Sequence, residues 1–171
     1  MFKKMILVWI LLLPLWSCPF DEEDSAVTIE AYEAIMKEVQ QKDFIKAKES
    51  ISAQKELYEY FSKPLYAGLL KATEEKDEKT IKTLLDQSML MEIEELCTMV
   101  EKDFESYKKA RLTLIKAKKH LKILSKDKQA DALMKTMLKS LGNPGLMGMG
   151  KKKSDKALFM QSKKSLLEGL K

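Results

Sequence analysis

Glycine is almost absent from the first 140 residues of this 171-residue chain, where Gly68 is the one example, and five more follow position 140. Good helix formers (Ala, Lys, Glu, Leu and Met) fill most of residues 25–141, and no window there alternates β-branched with polar residues. Apolar residues instead recur every three or four positions. The pattern predicts an all-α fold, an antiparallel bundle of about five to six helices.

Caps and breakers set the predicted helix boundaries within residues 26–141, which we expect to form one domain. Ser25 is a suitable N-cap, and Pro64 suits the first turn of one helix while ending the helix before it. The apolar rhythm of residues 77–124 fits either one long helix or two helices that meet at Lys102-Asp103. The other helices are predicted over residues 25–41, 43–61, 64–75 and 127–141.

A Lys-Asp pair recurs at the predicted turns, at residues 42–43, 76–77, 102–103 and 126–127. The first spacing, 34 residues, equals the period of the tetratricopeptide repeat. The sequence Lys-Asp-Phe-Ile-Lys-Ala at residues 42–47 resembles that repeat's turn between helices and its small packing residue. This resemblance implies tetratricopeptide-like helical hairpins. The alternative is a bundle whose antiparallel helices share a Lys-Asp start at their turns.

Residues 1–17 have the features of a secretory signal peptide: two lysines, then an apolar run, then the small residue Ser17. The sequence Leu-Trp-Ser-Cys at residues 15–18 resembles the lipobox of bacterial lipoproteins. That resemblance implies removal of residues 1–17, a lipid thioether on Cys18 and attachment to a membrane of the cell envelope. Residues 18–25 then form the lipidated cysteine and its tether. Pro19 after the cysteine implies the periplasmic face of the outer membrane in a host with two membranes. An uncleaved anchor is the alternative.

Charge is divided unevenly along the chain. Residues 18–105 carry 22 acidic and 11 basic side chains, whereas residues 106–171 carry 4 acidic and 18 basic ones. Arg111 is the single arginine, although proteins that read nucleic acids favour the guanidinium group, so we do not expect nucleic-acid binding. The division indicates either acidic helices packed beside basic ones or a lysine-rich surface for anionic lipid or cell-wall polymer.

Catalytic constellations are scarce, and we do not expect an enzyme. His120 is the only histidine, so serine and cysteine triads and His-based zinc sites lack parts. Because His120 stands among Lys118, Lys119 and Lys122, we expect it to be exposed. The closely spaced acidic residues are predicted to lie on solvated faces; they are Glu30, Glu33, Glu92, Glu94 and Glu95.

A metal or haem protein is the alternative functional class, although we expect no cofactor. His120 and Met36 could ligate b-type haem only if helix packing brought them face to face. Methionine thioethers select Cu(I), and Met147 and Met149 lie two apart in a Gly-rich stretch. For Met134 and Met137, three residues apart, core packing is the expected role.

Cys97 has helical spacing with Ile93 and Val100, which predicts a buried thiol. Residues 142–154, rich in Gly, Met and Lys, are predicted to be a mobile linker, and residues 155–171 an amphipathic helix whose apolar face Lys163 interrupts.

We expect residues 146–170 to act as a mobile contact arm. The features together favour a lipid-anchored, non-catalytic binding or scaffold module of the cell envelope. Its expected partners are the membrane, reached through the anchor, and an envelope protein or an anionic surface.

Overall fold

The computed structural model describes residues 24–145 and 151–170, and every named element in these ranges is a helix. The all-α bundle is confirmed, with eight helices in the described ranges rather than five to six. The helices are α1 (Asp24–Gln40), α2 (Phe44–Ala53), α3 (Lys55–Phe61), α4 (Lys63–Glu74), α5 (Glu78–Lys102), α6 (Tyr107–Leu124), α7 (Lys128–Ser140) and α8 (Lys156–Gly169).

The predicted helix over residues 43–61 is divided into α2 and α3 at Gln54. The Gln54 N–H is shared between the carbonyl oxygens of Ser50 and Ile51, at 3.3 and 3.2 Å, which loosens the regular helical ladder at this point. Beyond the break, Tyr58 of α3 is fully buried. No Pro or Gly marks the position, so the sequence pattern did not show the break.

The turns at Lys42-Asp43 and Lys76-Asp77 have the same geometry. Both lysines are left-handed, with φ of 62° and 56°. In each turn the aspartate N–H bonds back to a carbonyl five residues earlier, as in a Schellman motif. The aspartate side chain then accepts the N–H three residues on and caps the next helix. Two turns 34 residues apart therefore share one local geometry, which both the hairpin-repeat and the plain-bundle interpretations allow.

Residues 77–124 form two helices rather than one. The first, α5, ends at Lys102, and the chain reverses over residues 103–106 before α6 packs along it. Two apolar clusters result, both built partly from α5. The N-terminal cluster joins the buried apolar residues of α1 to α4 with those of α5 up to Met89. The C-terminal cluster starts at Ile93 and continues through α6, α7 and α8.

The last helix is part of this core, so the predicted contact arm is wrong for residues 156–169. Phe159 of α8 is fully buried, and its ring lies 5.4 Å from that of Phe104. The connection between α7 and α8 is held at its base, where Asn143 and Lys152 exchange two backbone hydrogen bonds. Gly142, at φ 73°, fits there because a Cβ would meet the Lys152 carbonyl oxygen at 2.6 Å.

Across residues 24–145 and 151–170, we find no helix that combines the length and the apolar character needed to cross a membrane. The predicted signal peptide, the lipid-bearing Cys18 and the candidate copper ligands Met147 and Met149 lie outside the described residues.

Candidate functional site

The single histidine lies inside the bundle, so the prediction that it is exposed is wrong. His120 is 0% exposed. On α6 it shares the inward stripe of Ala117 and Leu121, while the neighbouring Lys119 and Lys122 project outward. A residue one position from a lysine on a helix points about 100° away from it, so adjacent charges did not indicate the side chain's environment.

The buried imidazole faces a carboxylate of α5. His120 Nε2 lies 3.3 Å from Glu92 Oε1, and the Glu92 side chain is 13% exposed. Nδ1 lies 3.0 Å from the Lys116 carbonyl oxygen; because that oxygen can only accept, Nδ1 carries a hydrogen and donates it. The Nε2–Oε1 contact has the distance of an ion pair without hydrogen-bond geometry. Within the described residues, Nε2 and Glu92 Oε2 have no hydrogen-bond partner.

Glu92 also reaches a groove of about 220 Å³ between α1, α3 and α5. Tyr60, 67% exposed, stands at this groove and donates its hydroxyl hydrogen to Glu95. That hydrogen bond raises the pKa of Tyr60. Glu95 accepts from Tyr60, and Glu92 Oε1 contacts His120, whereas Glu92 Oε2 has no hydrogen-bond partner in the described residues. The groove is lined by Thr28, Leu57, Tyr60, Phe61, Glu92, Glu95, Leu96 and Met99.

Metal-binding residues do not converge in the part of the chain that the structure describes. No group of three or more His, Cys, Asp or Glu side chains there could hold an ion. The two nitrogens of His120 face Lys116 and Glu92 instead of an open ligand site. Met134 and Met137 are fully buried in the C-terminal cluster, as the core interpretation predicted.

Cys97 is a buried, unmodified thiol, as its helical spacing predicted. Burial raises the pKa of this thiol to about 12, although the positive charge of Lys163 acts in the opposite direction. A thiol in this environment is a poor nucleophile, because the reactive thiolate is almost absent near neutral pH.

The outer face of α6 is rich in positive charge. This helix of 18 residues carries seven Lys or Arg side chains and no acidic one. Its buried residues occupy one side, and the exposed Lys108, Arg111, Lys119 and Lys122 occupy the other. Two apolar side chains lie among them: Leu112 is 47% exposed, and Ile115 is partly buried.

The same surface continues beyond the end of α6. Lys126 and Lys128 are exposed on either side of the α6–α7 turn and border a wide depression of about 670 Å³ together with Lys122. Asp127 and Asp131 also line this depression. We call this surface the cationic face; it consists of Lys108, Arg111, Leu112, Ile115, Lys119, Lys122, Lys126 and Lys128.

The cations of the cationic face are not engaged in close ion pairs within the described residues. No carboxylate of the described residues lies within 4.0 Å of its six cations. Other cations of this region do have partners: Lys109 pairs with Asp103 at 2.9 Å, and Lys118 with Asp131 at 3.5 Å. Lys109 and Lys118, at the two sides of the cationic face, therefore have ion-pair partners, whereas the cations between them have none in the described residues.

Of the acidic residues considered from sequence, Glu30, Glu33 and Glu94 are exposed as predicted. Glu92 and Glu95 are only partly exposed, because Glu92 contacts His120 and Glu95 accepts from Tyr60. Both contacts depend on how the helices pack, which helical spacing does not reveal. Comparison with protein families, curated proteins and solved structures gave no match to this chain.

Proposed function

We propose that this chain is a lipid-anchored, non-catalytic binding module of the cell envelope that docks on an anionic partner through its cationic face. The anchor is Cys18, on the resemblance of residues 15–18 to a lipobox. The anchor holds the bundle near one membrane and so raises its effective concentration next to partners there.

The observation that carries the docking proposal is the uncompensated charge of α6. Lysines such as Lys48, Lys109 and Lys163 lie within 3 Å of a carboxylate, whereas the six cations of the cationic face, grouped on one helix face and the adjoining turn, have none within 4.0 Å in the described residues. Like charges held together on one helix repel each other and cost stability. An anionic partner would remove this repulsion, and it would be attracted over about one Debye length, roughly 8 Å at physiological salt.

A binding role also agrees with the state of the titratable groups. The imidazole of His120 is enclosed, with a carbonyl on one side and Glu92 on the other. A general base must reach a substrate proton, and a fully buried ring has no direct path to one. We therefore assign the Glu92–His120 pair a structural role.

The anchor is tested by mass spectrometry of the protein produced in a bacterium that has the lipoprotein pathway. We expect a chain that starts at Cys18 and carries diacylglycerol and acyl groups on that residue. Cys18→Ser should abolish the lipid. Cys97→Ser, which changes the buried cysteine, should leave it in place. An unprocessed chain with a bare sulfur at position 18 would refute the anchor.

The docking surface is tested by retention on an anionic resin such as phosphocellulose. The variant Lys108→Gln/Lys119→Gln/Lys122→Gln should elute at clearly lower salt than the parent chain. A control with the same net charge, Lys37→Gln/Lys46→Gln/Lys79→Gln, removes three exposed cations from α1, α2 and α5 and should elute later than the first variant. Equal elution of the two variants would show that net charge alone, and not the cationic face, governs binding.

A further inference from the structure

We infer that the anionic partner of the cationic face is the phospholipid headgroup layer of the membrane that carries the anchor. This inference rests on the proposed docking function and names its partner. It makes the bundle lie on the bilayer with the axis of α6 along the surface, held at two points: the lipid on Cys18 and the outer face of α6.

The apolar side chains within the cationic face favour lipid over a soluble polyanion. Leu112 is 47% exposed, and on the helix it lies between Lys108 and Lys119, one turn before it and two turns after it. A hydrated phosphate polymer would bury little of that leucine. At a bilayer surface the leucine enters the boundary between headgroups and acyl chains, while the lysine stems extend around it to the phosphates.

Only the outer side of α6 has the mixture of cationic and apolar side chains that is typical of an interfacial helix. Its inner side, which includes Leu114 and Leu121, is already buried in the C-terminal cluster. The helix therefore cannot rotate to insert its main apolar stripe without unfolding the bundle. Binding should be shallow, driven by charge and by Leu112 and Ile115, and sensitive to salt.

The rest of the chain has the opposite charge and favours one orientation. Residues 25–105, beyond the tether, carry 18 acidic and 11 basic side chains. An anionic surface repels these residues and attracts residues 106–171. The acidic helices α1 to α5 would consequently face away from the bilayer.

The test is a lysine-acylation footprint of the full chain reconstituted in vesicles, read by mass spectrometry. One set of vesicles is phosphatidylcholine alone, and the other contains about 30% phosphatidylglycerol. We expect Lys108, Lys119 and Lys122 to react about fivefold more slowly in the anionic vesicles. Lys46 and Lys79, exposed on the acidic half, should react equally in both. Raising the salt to about 0.5 M should remove the protection.

A second variant tests the apolar contribution. Leu112→Ser leaves every charge in place and changes a side chain that is 47% exposed, so the fold should be retained. It should weaken the protection in anionic vesicles while leaving the phosphocellulose elution of the chain unchanged. Equal protection in the variant and the parent would overturn the membrane contact of Leu112.

The remaining outcomes separate this inference from the proposed function. Equal acylation in both kinds of vesicle, together with the expected phosphocellulose result, would keep an anionic partner and refute the membrane. Protection by soluble polyphosphate but not by anionic vesicles would assign the face to a polymer. Protection that rises with protein density in neutral vesicles would assign it to the acidic half of a second copy.

Discussion

His120 Nε2 lies 3.3 Å from Glu92 Oε1, across the packed faces of α6 and α5. The other ring nitrogen, Nδ1, donates to the Lys116 carbonyl oxygen of the same helix, which fixes the orientation of the imidazole. The pair thus joins α5 and α6 by a polar contact beside the apolar side chains of the C-terminal cluster.

Removing either member of this pair should destabilise the bundle. His120→Leu leaves Glu92 without its partner in a largely buried position, and the free energy of unfolding should fall by about 3 kcal/mol. The double variant His120→Leu/Glu92→Leu should lose less than the sum of the two single changes, which urea unfolding would show. Glu94→Leu, an exposed neighbour, should change stability by about 0.5 kcal/mol or less. Additive losses would mean that the two side chains do not interact.

The buried thiol of Cys97 should make the stability of the fold depend on alkaline pH. Burial raises the pKa of the Cys97 thiol in the folded chain from its usual value of 9.0 to about 12. As the pH rises, the unfolded chain therefore loses this proton first. The contribution of the neutral thiol to the free energy of unfolding is fully present below pH 9.0 and is lost as the pH rises towards about 12. The maximal slope is about 1.4 kcal/mol per pH unit. Urea unfolding at stepped pH should show a steeper decline for the parent than for Cys97→Ala.

Two adjacent lysines of α8 should behave differently. Lys163 has a side chain only 14% exposed, and its ammonium group donates to Glu101 at 2.9 Å and to Thr98 at 3.1 Å on α5. Lys163→Ala leaves Glu101 without this partner and should cost about 1–2 kcal/mol of unfolding free energy. Lys164, mostly exposed, faces Glu168 at 3.9 Å, and Lys164→Ala should cost about 0.5 kcal/mol or less. Thermal melts of the two variants provide the comparison. Similar losses of stability would contradict a role for Lys163 in holding α8 against α5.

The left-handed lysine of the second turn is a site for stabilisation. Lys76 has φ 56° and precedes the capping Asp77, where glycine is the preferred residue. Lys76→Gly removes the strain of a Cβ at positive φ and should raise the free energy of unfolding by about 0.5–1 kcal/mol. Lys79→Gly, three residues later in the first turn of α5, should instead lower it, by about 0.5 kcal/mol. A melting temperature that falls with Lys76→Gly would show that its side chain contributes more than the strain costs.

The helical fold was predictable because its signals are local. Caps such as Asp43 and Asp77 and the stop at Gly142 specified most helix ends to within one or two residues. The burial of Cys97 followed from its spacing with neighbouring core residues. The break at Gln54 was missed because it depends on tertiary packing in a segment without Pro or Gly.

The site was predicted less well because it depends on side chains from different helices. His120 could have been assigned to the core from its place three residues after Ala117, had this spacing been weighed above the adjacent lysines. Its partner Glu92 could not be assigned from the sequence, because neither helix alone indicates which residues of α5 face which residues of α6. Lys163 was correctly noted within an apolar face, yet its use as a buried contact to Glu101 required the position of α8.

The 25-residue α5 helix supplies side chains to both apolar clusters, with Ile81, Leu85 and Met89 in one and Ile93, Cys97 and Val100 in the other. Neither half can come apart without exposing one flank of this shared helix to water. The two halves should for this reason unfold in a single cooperative transition. Amide hydrogens around residues 89–93 should then exchange only through global unfolding, and so more slowly than those at either end of the helix.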